Sequence, residues 1–135
     1  MADPERRAIT VVVARPFRDV EDFLRQRENW PRWATGLASG IERSGDGWIV
    51  HQKEGAARLR FLSDEPGYHD HVVTLADGQE VHVPLRAKAC DLGTEVALEL
   101  IRLPAMSREV FERDTEWVRR DLETLKRLLE TAPSD

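Results

Sequence analysis

The sequence predicts one α+β domain, a curved antiparallel β-sheet with a long carboxy-terminal helix laid across it and two short helices after the first strand. Three observations carry this. From about Leu37 to Leu103 short alternating segments are separated by glycine-bearing turns, the segment that follows has the apolar period of a helix, and the 135 residues contain no repeat or linker that would split them. The domain therefore spans residues 1–135.

The elements follow in order. Ile9 to Ala14 is a β-branched run that stops at Arg15-Pro16, where proline withholds a ladder donor, so it reads as the first strand. Phe17, Val20, Phe23 and Leu24 then recur at helical spacing, with Asp19, Glu21 and Asp22 early in the helix where its dipole favours acids. Trp30-Pro31-Arg32-Trp33 reads as a second short helical turn that tucks at least one indole under the sheet. Turns are expected at Gly45-Asp46-Gly47, Glu54-Gly55, Glu65-Pro66-Gly67, Asp77-Gly78 and Asp91-Leu92-Gly93. Between the last two, Gln79 to Cys90 alternates as one strand, with Val81, Val83, Leu85, Ala87 and Ala89 on its dry face; Val96, Leu98 and Leu100 form the dry face of the next. The cover for that face is the helix from Ser107, its N-cap, to about Thr131, roughly 35 Å long. A helical wheel places Val110, Phe111, Trp117, Val118, Leu122, Leu125, Leu128 and Leu129 in an arc of roughly 140° facing the sheet.

Composition excludes several classes of function. With 41% hydrophobic and 33% charged residues the chain has material for a core and for solubility, and a net charge of -5 with interleaved signs argues against a nucleic-acid or anionic-membrane footprint. No apolar run reaches the roughly 20 residues of a spanning helix, and the opening residues lack a signal-peptide stretch, so a cytoplasmic address without stable membrane insertion is expected. Cys90 is alone, which leaves no internal disulfide and no cysteine-based zinc site. Glycine-rich phosphate loops and Gly-x-Ser-x-Gly elbows are missing, so neither a nucleotide nor a serine-hydrolase reading has support. No cofactor and no metal is expected, and the chain is expected as a monomer or homodimer.

Four stretches carry a resemblance that covers nearly the whole chain. They are Trp30-Pro31-Arg32-Trp33, Asp70-His71, Gly93-Thr94-Glu95-Val96 leading into Leu103-Pro104, and Asp114 with Asp121-Leu122-Glu123-Thr124-Leu125-Lys126. Together with the element order they resemble the START, polyketide cyclase/dehydrase and Bet v 1-like (SRPBCC) superfamily, most closely its bacterial polyketide cyclase-like members. The resemblance implies a helix-grip fold with a cavity between sheet and terminal helix. It implies binding of an apolar or aromatic small molecule of the lipid, polyketide or quinone kind, or else a cyclase, aromatase or dehydratase working in the same cavity. A fold does not choose between these.

Particular residues sharpen the choice. Asp114 and Asp121 fall within the apolar arc of the long helix, where an unpaired carboxylate is costly, and Arg58, Arg60 and His71 are candidate partners. Each of the two is thus either a structural pin or a polar anchor in the cavity. His69 and His71 share a strand face as paired metal ligands do, but no third ligand sits at a telling spacing, and a structural histidine is the commoner case. Asp70-His71 invites a general acid/base reading, although neighbours on a strand point to opposite faces, and alternation does not decide which of the two faces inward. Tryptophans more often build core than stack on ligands. The expected lining is Trp33, Leu59, Phe61, His71, Val83, Leu98, Val110, Phe111, Asp114 and Trp117, with His71 and Asp114 as the candidates for proton transfer if the protein is an enzyme. A third reading is a lidless interaction domain whose cavity is filled by its own side chains, and cavity volume separates it, because an ordinary ligand pocket needs about 300 Å³ or more.

Overall fold

A computed structural model describes residues 5–34, 40–45, 47–52, 55–75 and 77–131. Leu37, Asp46 and Glu54, named above in the strand region and its turns, lie outside these, as do the opening residues 1–4. Strand β1 (Arg6–Val13) ends where Pro16 starts helix α1 (Phe17–Arg25), and a 3₁₀ helix, Arg27–Arg32, follows at once. The two short helices are stitched by side chains. The last carbonyls of α1 lack partners within the helix, and Trp30 Nε1 and Arg27 donate to Leu24 O at 2.9 Å while Asn29 donates to Phe23 O at 3.1 Å.

Seven further strands come next, β2 (Ile41–Ser44), β3 (Gly47–Gln52), β4 (Gly55–Phe61), β5 (His71–Thr74), β6 (Glu80–Val83), β7 (Leu85–Cys90) and β8 (Gly93–Ile101), and helix α2 (Arg108–Thr131) closes the fold. All pairings are antiparallel, in two ladders, β1-β8-β7 and β2-β3-β4-β5-β6. The single strand expected from Gln79 to Cys90 is therefore divided, and Pro84 is the cause because it has no N–H to give the ladder. Its neighbour Leu85 turns its own N–H to the Asp70 carboxylate at 3.0 Å. The register nonetheless runs on across the break. His71 opposes Val83, and beyond Pro84 His69 N donates to Leu85 O at 2.8 Å and Tyr68 bridges Arg86. The two ladders are thus halves of one sharply bent sheet. Gly67 holds the bend tight: its φ is +86°, and a Cβ there would lie 2.6 Å from Ala87 O.

Ser107 caps α2 as expected, its hydroxyl accepting Val110 N at 3.1 Å. The helix docks on β1 through Phe111, Thr115, Leu122, Leu125 and Leu129, which are buried, and Val118, which is partly so. Trp117 is 48% exposed, so the stripe is turned from the predicted arc toward Thr115. The reason is the threonine hydroxyl, which is satisfied inside by Phe111 O at 2.8 Å and Arg7 at 3.2 Å, so Thr115 is buried without an orphaned group.

Candidate functional site

Between the flank of α2 that does not meet β1 and the concave side of the sheet lies a hollow of about 160 Å³. Its sheet wall comes from residues that alternation sends to one face: Val50 opposite Ala57, Leu59 opposite Val73, then His71 and, from β8, Leu98. Trp30, Trp33 and Ala34 form the end supplied by the 3₁₀ helix, and Val118 and Asp121 come from α2. Two of these lining residues are alanines, which leave space where a larger side chain would have filled it.

The polar groups in this wall are few. His71 is buried, and its Nδ1 donates to His69 O at 3.0 Å, which fixes the tautomer and leaves Nε2 as a bare acceptor with no partner among the described residues. Burial, helped by the nearby Arg27 charge, pushes its pKa down to about 4, so the ring is neutral at ordinary pH. Trp30 meets it edge-on at 5.2 Å, and Phe61 lies tilted against it at 5.5 Å. Trp33 is buried as well, and its Nε1–H is a buried donor without a partner among the described residues. Asp121, half-buried and not unpartnered, contributes a carboxylate.

Behind the wall a charged cluster sets the position of His71. His69 Nε2–H donates to Glu21 at 2.7 Å, while Arg27 donates to its Nδ1 at 2.8 Å and lays its guanidinium 3.6 Å from the centre of the Phe61 ring. Arg25 adds a second contact to Glu21 at 2.9 Å. Burial lowers the His69 pKa against the pull of Glu21, and it lowers that of Arg27 to about 10. Glu21 itself stays below the ordinary range: burial acts to raise it, but the bonds from His69, Gly67 and Arg25 prevail. With both imidazole nitrogens engaged, His69 has no lone pair for a metal, so it and His71 are not a ligand pair. Among the described residues no three His, Cys, Asp or Glu side chains gather. On the other face Asp70 pairs with Arg86 at 3.0 Å, which decides the orientation that alternation left open: His69 and His71 face inward and Asp70 does not.

Of the expected lining, Trp33, Leu59, His71 and Leu98 line the hollow. Phe61 and Val83 pack against the core beside it, and Phe111 is buried under Arg7 instead. Val110, Asp114 and Trp117 do not line it, because the stripe of α2 is turned away from them. Asp114 is half-buried with Arg113 as its ion-pair partner at 3.5 Å, not Arg58, Arg60 or His71, so it is not a polar anchor in the hollow. Trp30, Ala34, Val50, Ala57, Val73 and Val118 line it as well without being in the expected lining, and Asp121, which the wheel put in the apolar arc, brings its carboxylate to the wall. The Ala57, Leu59, Phe61 alternation was a usable signal for the first strand of that group. Glu21, read above only as an acid early in its helix, instead turns to the buried face it shares with Val20 and Leu24.

The architecture is a helix-grip, Bet v 1-like fold. The chain is similar to a protein of Mesorhizobium loti, with 15% identity and a TM-score of 0.73 over 96% of this chain and 100% of that one. It is similar to Ara h 8.0201, at 12% identity and a TM-score of 0.67 over 95% and 99% of the two chains. A third likeness is to DynU16, from the dynemicin biosynthetic locus, at 19% identity and a TM-score of 0.71 over 93% of this chain and 47% of that one. Identities this low establish shared architecture. No protein-family model and no curated protein matches the sequence. Among the described residues no helix is long and apolar enough to cross a membrane.

Proposed function

We propose that the protein binds a compact apolar molecule, the size of one aromatic ring, in the hollow between α2 and strands β3 to β5. The observation that carries this is the hollow itself, about 160 Å³ with a mostly apolar wall, next to the roughly 150 Å³ that accommodates benzene in an apolar protein cavity. A lipid chain or a folded polyketide needs the 300 Å³ or more of an ordinary ligand pocket, so the size supports the ring of a quinone-like or simple aromatic compound over those two. Binding is also better supported than turnover. A cyclase would draw on either His71 or Asp114 to move a proton, yet Asp114 is not in the wall, and a histidine whose pKa is near 4 is a weak proton acceptor at neutral pH.

The test is titration with toluene, followed by the two-dimensional NMR spectrum of the protein and by calorimetry. Saturable shifts confined to Ala34, Ala57, Val73 and Val118 are expected. Absence of saturable binding up to the solubility limit of toluene would overturn the proposal.

A further inference from the structure

His69 is buried behind the hollow, and charged groups meet it from two elements. Helix α1 brings Glu21 and Arg25, the 3₁₀ helix brings Arg27, and Asp64 acts on Arg27 from the segment before β5. Asp70 and His71 follow on its own segment, and β7 meets it with a backbone carbonyl, Leu85 O. An arginine N–H only donates, so the 2.8 Å contact from Arg27 requires a lone pair on His69 Nδ1 and leaves the one ring proton on Nε2, which gives it to Glu21 at 2.7 Å. The neutral imidazole thus joins an anion of one helix to a cation of the next. The same Arg27 nitrogen also donates to Leu24 O at 2.9 Å, and the guanidinium lies 3.6 Å from the Phe61 ring centre. Phe61 packs in turn on Trp30 and His71, at 5.2 Å and 5.5 Å between ring centres, and those two line the hollow.

We infer that His69 is a proton-operated latch on the hollow: a second proton on its ring, at Nδ1, ejects Arg27 and slackens the end of the wall where Phe61 backs Trp30 and His71. As regulation of the binding site it rests on the proposal above, whereas the movement of Arg27 follows from the cluster alone. The protonated ring has two N–H donors and a positive charge, so at Nδ1 a donor faces a donor and a cation faces a cation. Glu21 accepts from Nε2 in either state and gains an ion pair when the ring is charged, so Arg27 is the partner that yields. Burial already disfavours the Arg27 charge, and leaving the cluster returns it to water. Burial and the two arginines hold the His69 pKa below its ordinary 6.5 against the pull of Glu21, so the latch is shut at neutral pH and opens on the acid side.

Nuclear magnetic resonance of the full chain follows both halves of the latch. Imidazole nitrogen shifts report the tautomer and charge of His69, and Arg27 side-chain protons held over the Phe61 ring carry an upfield ring-current shift. At about pH 7.5 the Nε2–H tautomer is expected; towards about pH 4.5 protonation of His69 and loss of the Arg27 shift are expected at one midpoint, with the circular dichroism still native. Toluene affinity, by calorimetry, is expected to weaken roughly five-fold across that midpoint. His69→Gln supplies an amide that accepts from Arg27 and donates to Glu21 but takes no proton, so it should keep the Arg27 shift at the acid end and lose less toluene affinity there than wild type. An Arg27 shift that outlasts His69 protonation, an Nδ1–H tautomer at neutral pH, or a ring that stays neutral until the chain unfolds would each overturn the latch, and these wild-type spectra decide even where the variant does not fold. If Arg27 leaves and toluene affinity is unchanged, the regulation is wrong and the binding proposal survives. If toluene binds at no pH, the binding proposal is wrong and takes the regulation with it, while the spectra still judge the movement of Arg27.

Discussion

Filling the hollow from its own wall tests whether the space exists before any ligand is known. Ala57 is 3% exposed and lines it opposite Val50, so Ala57→Leu directs three added carbons into it. At about 0.8 kcal/mol per buried carbon those atoms contribute about 2.4 kcal/mol, and fixing the leucine rotamer takes back about 0.5 to 1 kcal/mol. The net is a stabilisation of about 1.5 kcal/mol, which for a chain of this length raises Tm by roughly 6 °C. Thermal unfolding by circular dichroism, with and without toluene, reads it out. The variant should be more stable than wild type alone, and toluene should stabilise the wild type but not the variant, since the added side chain stands where the ring would. Sign decides the matter. In a wall already packed solid the same leucine is overpacked and lowers stability by about 1 to 3 kcal/mol, and a Tm below wild type would refute both the volume and what is built on it.

Three further outcomes follow from the polar contacts. His71 is neutral in the fold, with its pKa lowered to about 4 from the ordinary 6.5, so between those values the unfolded chain binds the extra proton and stability falls as pH falls. From pH 7 to pH 5 this amounts to about 2 kcal/mol, with the lowered His69 acting in the same direction and the carboxylates Glu21 and Asp70 contributing only below that window; urea unfolding at the two pH values should show the loss in wild type and a smaller one in His71→Phe, and a flat wild-type profile would contradict the buried neutral ring. Asp70→Ala orphans the buried Leu85 N–H and should lower stability by about 1 to 3 kcal/mol, whereas Asp70→Asn keeps an oxygen for it and, since Arg86 is largely exposed, should cost less than about 1 kcal/mol; equal losses in denaturant titrations would show that the Arg86 pair, not the Leu85 bond, is what matters. Ser107→Ala removes the cap of α2 and should lower Tm by roughly 4 °C, about 1 kcal/mol, in a thermal melt; an unchanged Tm would mean the first turn is held by other contacts.

How far the sequence leads depends on how local the governing physics is. Strand β1 and its stop at Pro16, the turns with glycine, the bounds of α2 and its Ser107 cap are settled by neighbours in the chain, and propensity and periodicity expose them. Pro84 was also visible, yet alternation continued across it so regularly that the break stayed hidden; the ladder does keep its register there, and what the proline changes is one N–H, sent to Asp70. The face of α2 misled for a different reason. Ranking residues by hydrophobicity admits Trp117 and rejects Thr115, whereas burial also asks whether a polar atom finds a partner, and the Thr115 hydroxyl finds Phe111 O four residues back. Which face His71 takes was beyond alternation altogether, because both faces of that strand carry polar residues. The decision is made by Glu21 and Arg27, more than forty positions away, which clamp His69 and through its carbonyl aim the His71 ring.

The hollow itself is a difference between two placements, that of the helix and that of the sheet, and no single residue encodes it. Polar contacts pin one side of α2: Lys126 donates to Val12 O at 2.8 Å, Glu130 accepts Ala14 N at 2.8 Å, and Arg15 donates to Leu129 O at 3.0 Å. These draw the helix over the β1 side of the sheet. Its other flank, with Val118 and Asp121, is left opposite β3 to β5, where Ala57 and Ala34 are too small to reach it. Closing the gap would mean rolling α2 off β1, which breaks those contacts and uncovers Leu122, Leu125 and Leu129, at about 1.5 to 3 kcal/mol for each leucine exposed. The docking of α2 on β1 is therefore what holds the space open.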